Sequence, residues 1–209
     1  MAKFLSFEGG EGSGKTTQWQ LLTRALQERG VPLVATREPG GTPAGMAIRR
    51  LLLTPEGSAL EPLPELLLYA ADRAHHVAQV IAPALQAGKW VLCDRYQDST
   101  TVYQGMVRGI AEDRIQTLAQ WATGGMKPHL TFLFDVAPEV GLQRSKSRLA
   151  EQNSREDRFE TEALHFHEKV RQGFLELAKR EPERFMVLNA SLDPETLHQQ
   201  VLNKVLTLK

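Results

Sequence analysis

Hydrophobic residues follow two alternating patterns along the chain, short apolar runs and longer stretches with helical spacing. The apolar runs are bounded by polar or turn-forming residues and have the length expected of buried strands. They predict five strands, which span Phe4–Glu8, Leu33–Thr36, Trp90–Asp94, Thr131–Val136 and Phe185–Asn189.

The longer stretches carry apolar residues at intervals of three and four, which is typical of amphipathic helices. Gly30 follows the first of them as a C-terminal stop, and Asp193-Pro194 begins the last one with a capping side chain and a proline in the first turn. Pro83 is expected to break or kink the long middle helix. The predicted helices span Lys15–Arg29, Pro43–Leu53, Leu63–Ala87, Glu112–Thr123, Pro138–Arg148, Glu160–Arg180 and Pro194–Val205.

Strands that alternate with helices in this way form a parallel sheet covered on both faces. The pattern therefore predicts an α/β fold with a five-stranded parallel sheet, in a single domain over residues 1–209. In such sheets ligands bind beyond the carboxyl ends of the strands, so candidate chemistry is expected there.

The composition narrows the range of partners. Lysine plus arginine number 25 and aspartate plus glutamate 25, so the chain lacks the basic excess of a nucleic-acid-binding protein. Its one cysteine, Cys93, lies in an apolar run, which favours core packing in a reducing cytoplasm. No apolar stretch is long enough to span a membrane and the N-terminus has no signal-peptide pattern, so we expect a cytoplasmic protein without a membrane partner.

Residues 9–16 read Gly-Gly-Glu-Gly-Ser-Gly-Lys-Thr, a complete phosphate-binding loop between the first predicted strand and the first predicted helix. Backbone N–H groups can approach phosphate oxygens because glycine has no Cβ, and the helix N-terminus adds its dipole. Lys15 can reach the β- and γ-phosphates, and the Thr16 hydroxyl can bind Mg²⁺. The fold is thus predicted to be of the P-loop NTPase type, with nucleotide contacts from Gly9, Gly10, Glu11, Gly12, Ser13, Gly14, Lys15, Thr16 and Thr17.

Two of the apolar runs contain an aspartate at or near their carboxyl ends, Asp94 and Asp135, and either could be the carboxylate that binds Mg²⁺. Asp94 is followed at once by Arg95, which puts an anion-binding cation beside the carboxylate. Asp135 precedes Val-Ala-Pro138 and is more typical of a helix entry. We therefore favour Asp94, together with Thr16, as the metal site.

Arg37 follows the second predicted strand and precedes the rigid turn Glu-Pro-Gly-Gly, which would fix its guanidinium. Arginine can bind a phosphate through two parallel hydrogen bonds. With Arg95 it makes a pair of strand-end cations, and this pair predicts a second phosphorylated substrate besides the nucleoside triphosphate.

Residues 144–158, here called the lid segment, are polar, strongly charged and poor in apolar anchors. Such a segment is ordinarily a solvated loop. Beside a phosphate-binding loop, its arginines make it a candidate lid that closes over the nucleotide and excludes water.

Six motifs, in this order, resemble those of the thymidylate kinase family, and the resemblance spans nearly the whole chain. They are Glu8-Gly-Gly-Glu-Gly-Ser-Gly-Lys-Thr-Thr17, Arg37-Glu-Pro-Gly-Gly-Thr42, Tyr69-Ala-Ala-Asp-Arg73, Asp94-Arg-Tyr96 with Ser99, Tyr103-Gln-Gly105 and Asp157-Arg-Phe-Glu160. The resemblance implies Mg²⁺-dependent transfer of the γ-phosphoryl group of ATP to dTMP, giving dTDP and ADP. It also implies a homodimer that associates through the middle helices.

The resemblance assigns the dTMP site residue by residue. Arg37 and Arg95 would clamp the phosphate of dTMP, Glu11 would contact the deoxyribose 3′-hydroxyl, and Arg73 would bond the thymine carbonyl edge. Tyr69 would stack on the base, at a position where the family usually has phenylalanine. The remaining contacts are Tyr103 on the 2′ side of the sugar and Ser99 and Gln104 on the pyrimidine or its phosphate.

The resemblance also separates two subtypes, which differ in where a catalytic arginine stands. Gly12 occupies the loop position where some members carry arginine, so this chain resembles the bacterial type, with its cations in the lid. Arg148, Arg155 and Arg158 are the lid arginines, and either Arg155 or Arg158 is expected at the γ-phosphate. The predicted catalytic residues are Lys15, Arg95, Arg155 and Arg158.

Two other functions compete with this hypothesis. A deoxynucleoside kinase could share the fold, but it would not need two arginines for an acceptor phosphate. A GTPase switch should carry an Asn-Lys-x-Asp stretch after a late strand, where this chain has only the isolated Asn189.

Overall fold

The computed structural model describes residues 1–54, 59–152, 156 and 158–208. Its five strands form one parallel sheet in the order β2-β3-β1-β4-β5, which confirms the predicted α/β architecture. The strands are β1 Phe4–Gly9, β2 Leu33–Arg37, β3 Trp90–Asp94, β4 Leu130–Asp135 and β5 Phe185–Asn189. Each predicted strand is confirmed to within one residue at either end.

Within the described residues, the helices are α1 Lys15–Glu28, α2 Pro43–Leu53, α3 Pro62–His76, α4 Ala82–Gln86, α5 Gln97–Thr100, α6 Glu112–Thr123, α7 Pro138–Gln152, α8 Leu164–Arg180 and α9 Pro194–Leu206. Two π-helical turns join them, Val77–Ile81 between α3 and α4 and Thr101–Val107 after α5. The caps at both predicted sites are present: Gly30 has a left-handed φ of 71°, and the Asp193 carboxylate accepts from the Thr196 amide.

Helices cover both faces of the sheet because side chains alternate along the strands. In β1, Phe7 packs with Leu22 of α1 and Val201 of α9 on one face. On the other face, Phe4 packs with Val77 and Ile81 of the π-helical turn. The strands are therefore buried on both sides, and their carboxyl ends open on one edge where the site is built.

Three predicted elements differ from the structure. The helix predicted over Leu63–Ala87 is divided, because the π-helical turn Val77–Ile81 widens it just before Pro83, which has no N–H to continue a regular ladder. The helix predicted from Glu160 begins at Leu164. The segment Gln97–Val107, which had no predicted helix, is helical, and four of its polar residues line the site: Ser99, Thr100, Tyr103 and Gln104.

The lid segment is the fourth difference. Its first residues, to Arg148, overlap the helix predicted over Pro138–Arg148, and the structure extends that helix, α7, to Gln152. Ser145 is fully buried within this part and donates to the Glu160 carboxylate at 2.7 Å, which anchors the helix where apolar residues are few. Arg155 and Asp157 lie outside the described residues.

Candidate active site

The phosphate-binding loop connects β1 to α1 and takes backbone conformations that other residues rarely adopt. Gly12 and Gly14 have φ values of 62° and 82°. A Cβ on Gly12 would lie 1.8 Å from the carbonyl oxygen of Gly141, because α7 packs directly against the loop. The structure therefore leaves no room for an arginine at position 12, which is the residue predicted to distinguish the two subtypes.

Lys15 begins α1 and is buried in the loop. Its Nζ donates to the carbonyl oxygen of Gly10 at 3.0 Å. Burial, followed by the charge of Arg95, lowers the pKa of Lys15 to about 8, while Glu11 and Asp94 oppose the shift. The ammonium thus sits in a desolvated position where a polyanion would be a favourable partner.

Thr16 and Asp94 meet at the predicted metal site. The Thr16 hydroxyl donates to Oδ2 of Asp94 at 2.6 Å, and Oδ1 of Asp94 is buried without a hydrogen-bond partner. A buried carboxylate oxygen with no donor fits a cation. Asp135, the alternative ligand, forms an ion pair with Arg171 at 2.6 Å instead.

Arg95 joins the phosphate-binding loop to the helix after β3. It adopts a left-handed φ of 70°, and its guanidinium contacts Glu11 at 3.1 Å and Ser99 at 3.0 Å. The Tyr103 hydroxyl also donates to Glu11, at 2.7 Å. Burial would raise the pKa of Glu11, but the charges of Arg95 and Lys15 outweigh it and lower this pKa to about 2. Glu11 is therefore an ionised acceptor.

A second buried carboxylate, Glu8, supports this group from the end of β1. It accepts from the Tyr96 amide at 2.8 Å and from the Ser99 hydroxyl at 2.6 Å. Burial, followed by the charge of Asp98, raises the pKa of Glu8 to about 7.

Arg37 differs from the other site arginines because it has no partner in the described part of the chain. It ends β2, is half-buried and lines the same cavity as the phosphate-binding loop. A guanidinium that faces a cavity without a carboxylate is suited to an incoming anion.

Arg73, in contrast, already has most of its donors bound. Its Nε donates to Glu38 at 2.7 Å, and its two terminal nitrogens donate to Gln97, Thr100 and the backbone of Tyr96. Glu38 is in turn hydrogen-bonded to His76 at 2.8 Å. Glu38 and His76 were not predicted as site residues, although Glu38 lies within the Arg37–Thr42 motif and His76 lies three residues after the Tyr69–Arg73 motif.

Gln104 and Arg158 meet on a third carboxylate, Glu65, which the sequence analysis also missed. The Gln104 amide nitrogen donates to Oε1 of Glu65 at 2.6 Å, and the Arg158 guanidinium pairs with Oε2. Arg158 also donates to the carbonyl oxygen of Leu52. In this structure Arg158 thus lies beside Glu65, because burial of that charge requires a cation. Its role at the γ-phosphate stays a prediction.

Arg148, on α7, is the other lid arginine that the structure describes. Its side chain is 46% exposed and lines the cavity, and its charge contributes to lowering the pKa of Lys15. It contacts the Ser145 hydroxyl at 2.9 Å. Arg148 is therefore a further cation that faces the cavity from the lid segment.

Most of these residues line one cavity of about 440 Å³. At one end lies the phosphate-binding loop, and at the other lie Tyr69, Arg73 and Gln104. Tyr69 is half-buried, and its hydroxyl makes no hydrogen bond to the described residues, so the ring can serve as an apolar surface. Every predicted site residue from Glu11 onwards that the structure describes lines this cavity.

Comparison with known proteins bears directly on what fills the cavity. A family model described as thymidylate kinase matches residues 7–201. The chain belongs to the thymidylate kinase family. Among curated relatives, the thymidylate kinase of Syntrophus aciditrophicus (strain SB) is 50% identical over 203 residues, covering 96% of this chain and 93% of the relative. That of Pelobacter propionicus is 48% identical over 207 residues, covering 99% and 94%.

A solved structure agrees with this membership. The crystal structure of thymidylate kinase from Ehrlichia chaffeensis has a TM-score of 0.79 and 35% identity, with 99% of each chain covered. As a member of the thymidylate kinase family, the chain phosphorylates dTMP to dTDP with ATP. None of the helices in the described ranges is long and apolar enough to cross a membrane.

Proposed function

We propose that both nucleotides occupy the 440 Å³ cavity, with ATP on the phosphate-binding loop and dTMP between Arg37 and Gln104. The observation that carries this proposal is the continuity of the cavity from Lys15 to Tyr69. In this arrangement the γ-phosphoryl group would lie between the loop and the guanidinium of Arg95, in line with an acceptor phosphate.

No general base is needed for this transfer. A phosphate monoester has a second pKa of about 6, so its attacking oxygen is already ionised near pH 7. The barrier comes from bringing two polyanions together, and the chain lowers it by positioning cations. We assign this role to Lys15, Arg95 and Arg148. Arg155 remains a prediction outside the described residues.

Thr16 and Asp94 are the residues that would hold Mg²⁺. Their support is the unpartnered Oδ1 of Asp94 and its contact with the Thr16 hydroxyl. When bound, Mg²⁺ supplies charge neutralisation at the phosphates.

The dTMP assignments rest on the free or ionised groups that face the cavity. Arg37 has no partner in the described chain, so it can take the acceptor phosphate with Arg95 and Ser99. Glu11 can accept a hydrogen bond from the 3′-hydroxyl of the sugar, and Tyr103 would leave little room for a 2′-hydroxyl. At the base, Tyr69 supplies the stacking surface, and Arg73 and Gln104 supply polar contacts.

A homodimer is supported by apolar side chains on neighbouring helices. Leu63 and Leu67 of α3 are 49% and 48% exposed, and Trp121 of α6 is 77% exposed. A second copy of this face would cover them. A cytoplasmic location and the absence of nucleic-acid or membrane partners remain predictions from composition.

The test of the acceptor is a coupled ADP-release assay with ATP, Mg²⁺ and either dTMP or thymidine. We expect turnover with dTMP and little with thymidine, because the two arginines have no phosphate to bind in the nucleoside. Comparable turnover with thymidine would instead indicate a deoxynucleoside kinase.

A further inference from the structure

Glu65 is a buried carboxylate that touches the base end of the cavity without lining it. It lies in the first turn of α3 and its side chain is 1% exposed. Oε1 accepts from the Gln104 amide nitrogen at 2.6 Å, Oε2 pairs with Arg158, and Arg108 lies 4.0 Å away. Two cations and one amide thus converge on it.

This contact decides which way the Gln104 amide points. A carboxylate paired with arginines can only accept hydrogen bonds, so the Gln104 group that faces Glu65 must be the NH₂. The opposite orientation would set a carbonyl oxygen against a buried carboxylate, leaving both without a donor. The contact with Glu65 therefore fixes the orientation of the Gln104 amide.

The carbonyl oxygen of Gln104 remains open on the other side. Within the described residues no group donates a hydrogen bond to this oxygen, and it is not among the buried polar atoms that lack a partner. The oxygen is therefore accessible from the cavity that Gln104 lines. The base end of the site thus presents an acceptor at this point.

An acceptor at this position discriminates between pyrimidines. Thymine and uracil have a ring N3–H between two carbonyl groups, whereas N3 of cytosine is a lone pair. A fixed carbonyl can accept from N3–H, but it would face the N3 lone pair of cytosine with no proton between them. A site that presents such a group rejects the wrong partner by leaving polar atoms unpaired.

We propose that Glu65 is a positioning residue for base selection, which fixes the Gln104 amide so that its carbonyl oxygen accepts from a ring N–H and excludes cytosine. This inference rests on the proposed binding of dTMP in the cavity. Glu65 does not touch the substrate and acts through Gln104.

The test is Glu65→Gln, assayed with dTMP as substrate and dCMP as competitive inhibitor. The carbonyl oxygen of the new amide keeps the contact with Arg158, so its NH₂ faces Gln104 and favours the reversed orientation of the Gln104 amide. We expect the ratio of the inhibition constant of dCMP to the KM of dTMP to fall roughly 10-fold, the equivalent of one lost hydrogen-bond preference. The KM of ATP is expected to change less than about twofold.

Glu162→Gln is the matched control. Glu162 pairs with the same Arg108 at 2.6 Å but does not contact Gln104. This variant should leave the ratio of the inhibition constant of dCMP to the KM of dTMP unchanged. In a Gln104→Ala background, Glu65→Gln should have no further effect on that ratio, because the residue through which it acts is gone.

A Glu65→Gln variant that keeps the wild-type ratio, while Gln104→Ala loses it, would overturn the proposal. So would equal losses for ATP and dTMP, which indicate general disruption. If wild-type enzyme shows no preference for dTMP over dCMP, the proposed dTMP site fails instead. Should the variant not fold, solvent exchange of the Gln104 side-chain amide in the wild-type dTMP complex decides: slow exchange supports the proposal, and exchange at the rate of an exposed glutamine contradicts it.

Discussion

Lys15 is the residue on which the phosphate chemistry depends most. It is buried at the start of α1, and within the described residues its Nζ donates only to the Gly10 carbonyl, at 3.0 Å, a partner that a phosphate can replace. Its replacement would remove a desolvated cation from the point where negative charge accumulates.

Lys15→Ala is therefore expected to lower kcat at least ~10³-fold, the scale for loss of a main cation at a transferring phosphoryl group. Steady-state kinetics at saturating ATP and dTMP measures this. Lys89 is an exposed lysine that does not line the cavity, so Lys89→Ala should leave kcat unchanged. Near-normal turnover of Lys15→Ala would remove the basis for the ATP assignment.

Residue types explain what the sequence could and could not predict. Glycines, Lys15 and the strand-end residues Asp94 and Arg37 stand at places where the fold itself puts ligands. Glu65 and His76 lie on a predicted helix, and a charged or polar residue in a helix is ordinarily interpreted as exposed to solvent even when it is buried. One signal was available: the polar residues Glu65, Tyr69, Asp72, Arg73 and His76 have helical spacing, so they share one face of α3.

At the scale of elements, α7 connects the lid segment to the phosphate-binding loop. Gly141 packs on the loop through backbone contacts, and Arg148 lies two turns further along the same helix. The residues after Arg148 were predicted as a loop because few of them are apolar, but α7 extends to Gln152 and polar anchors such as Ser145–Glu160 stabilise it. Propensity and hydrophobic spacing do not detect such anchors.

This arrangement predicts that Arg148, rather than Arg158, acts at the γ-phosphate. Arg148→Ala should lower kcat about 10²-fold or more, with the KM of dTMP changed little. Lys146→Ala, an exposed cation on the same helix, is the control.

Arg158→Ala should instead lower the free energy of unfolding by ~3–5 kcal/mol, since it leaves the Glu65 carboxylate buried beside fewer cations. A large kcat loss confined to Arg158→Ala would contradict the assignment.

For the whole molecule, parallel strand order explains why distant motifs meet. β1 lies between β3 and β4, so the loop after β1, Asp94 after β3 and Arg37 at the end of β2 open on one edge. The alternation of strands and helices was sufficient to predict this edge. It was not sufficient to predict the order of the strands or the helix Gln97–Val107, which depend on contacts between remote segments.

The exposed face of α3 and α6 predicts association of two chains. Leu67→Glu should convert a dimer to a monomer in sedimentation equilibrium, because it buries an unpaired charge at the interface. Leu206→Glu, at a similarly exposed position on α9, should leave the dimer intact. A wild-type chain that sediments as a monomer, or a Leu67→Glu variant that remains dimeric, would exclude this face.

One cavity is proposed to hold both nucleotides, with their phosphates facing each other. This arrangement is tested most directly by a compound that joins adenosine and thymidine through an oligophosphate chain. We expect competitive inhibition against both ATP and dTMP, with an inhibition constant below the dissociation constant of either nucleotide, since one molecule fills both ends of the site. Competition with only one of the two substrates would contradict it.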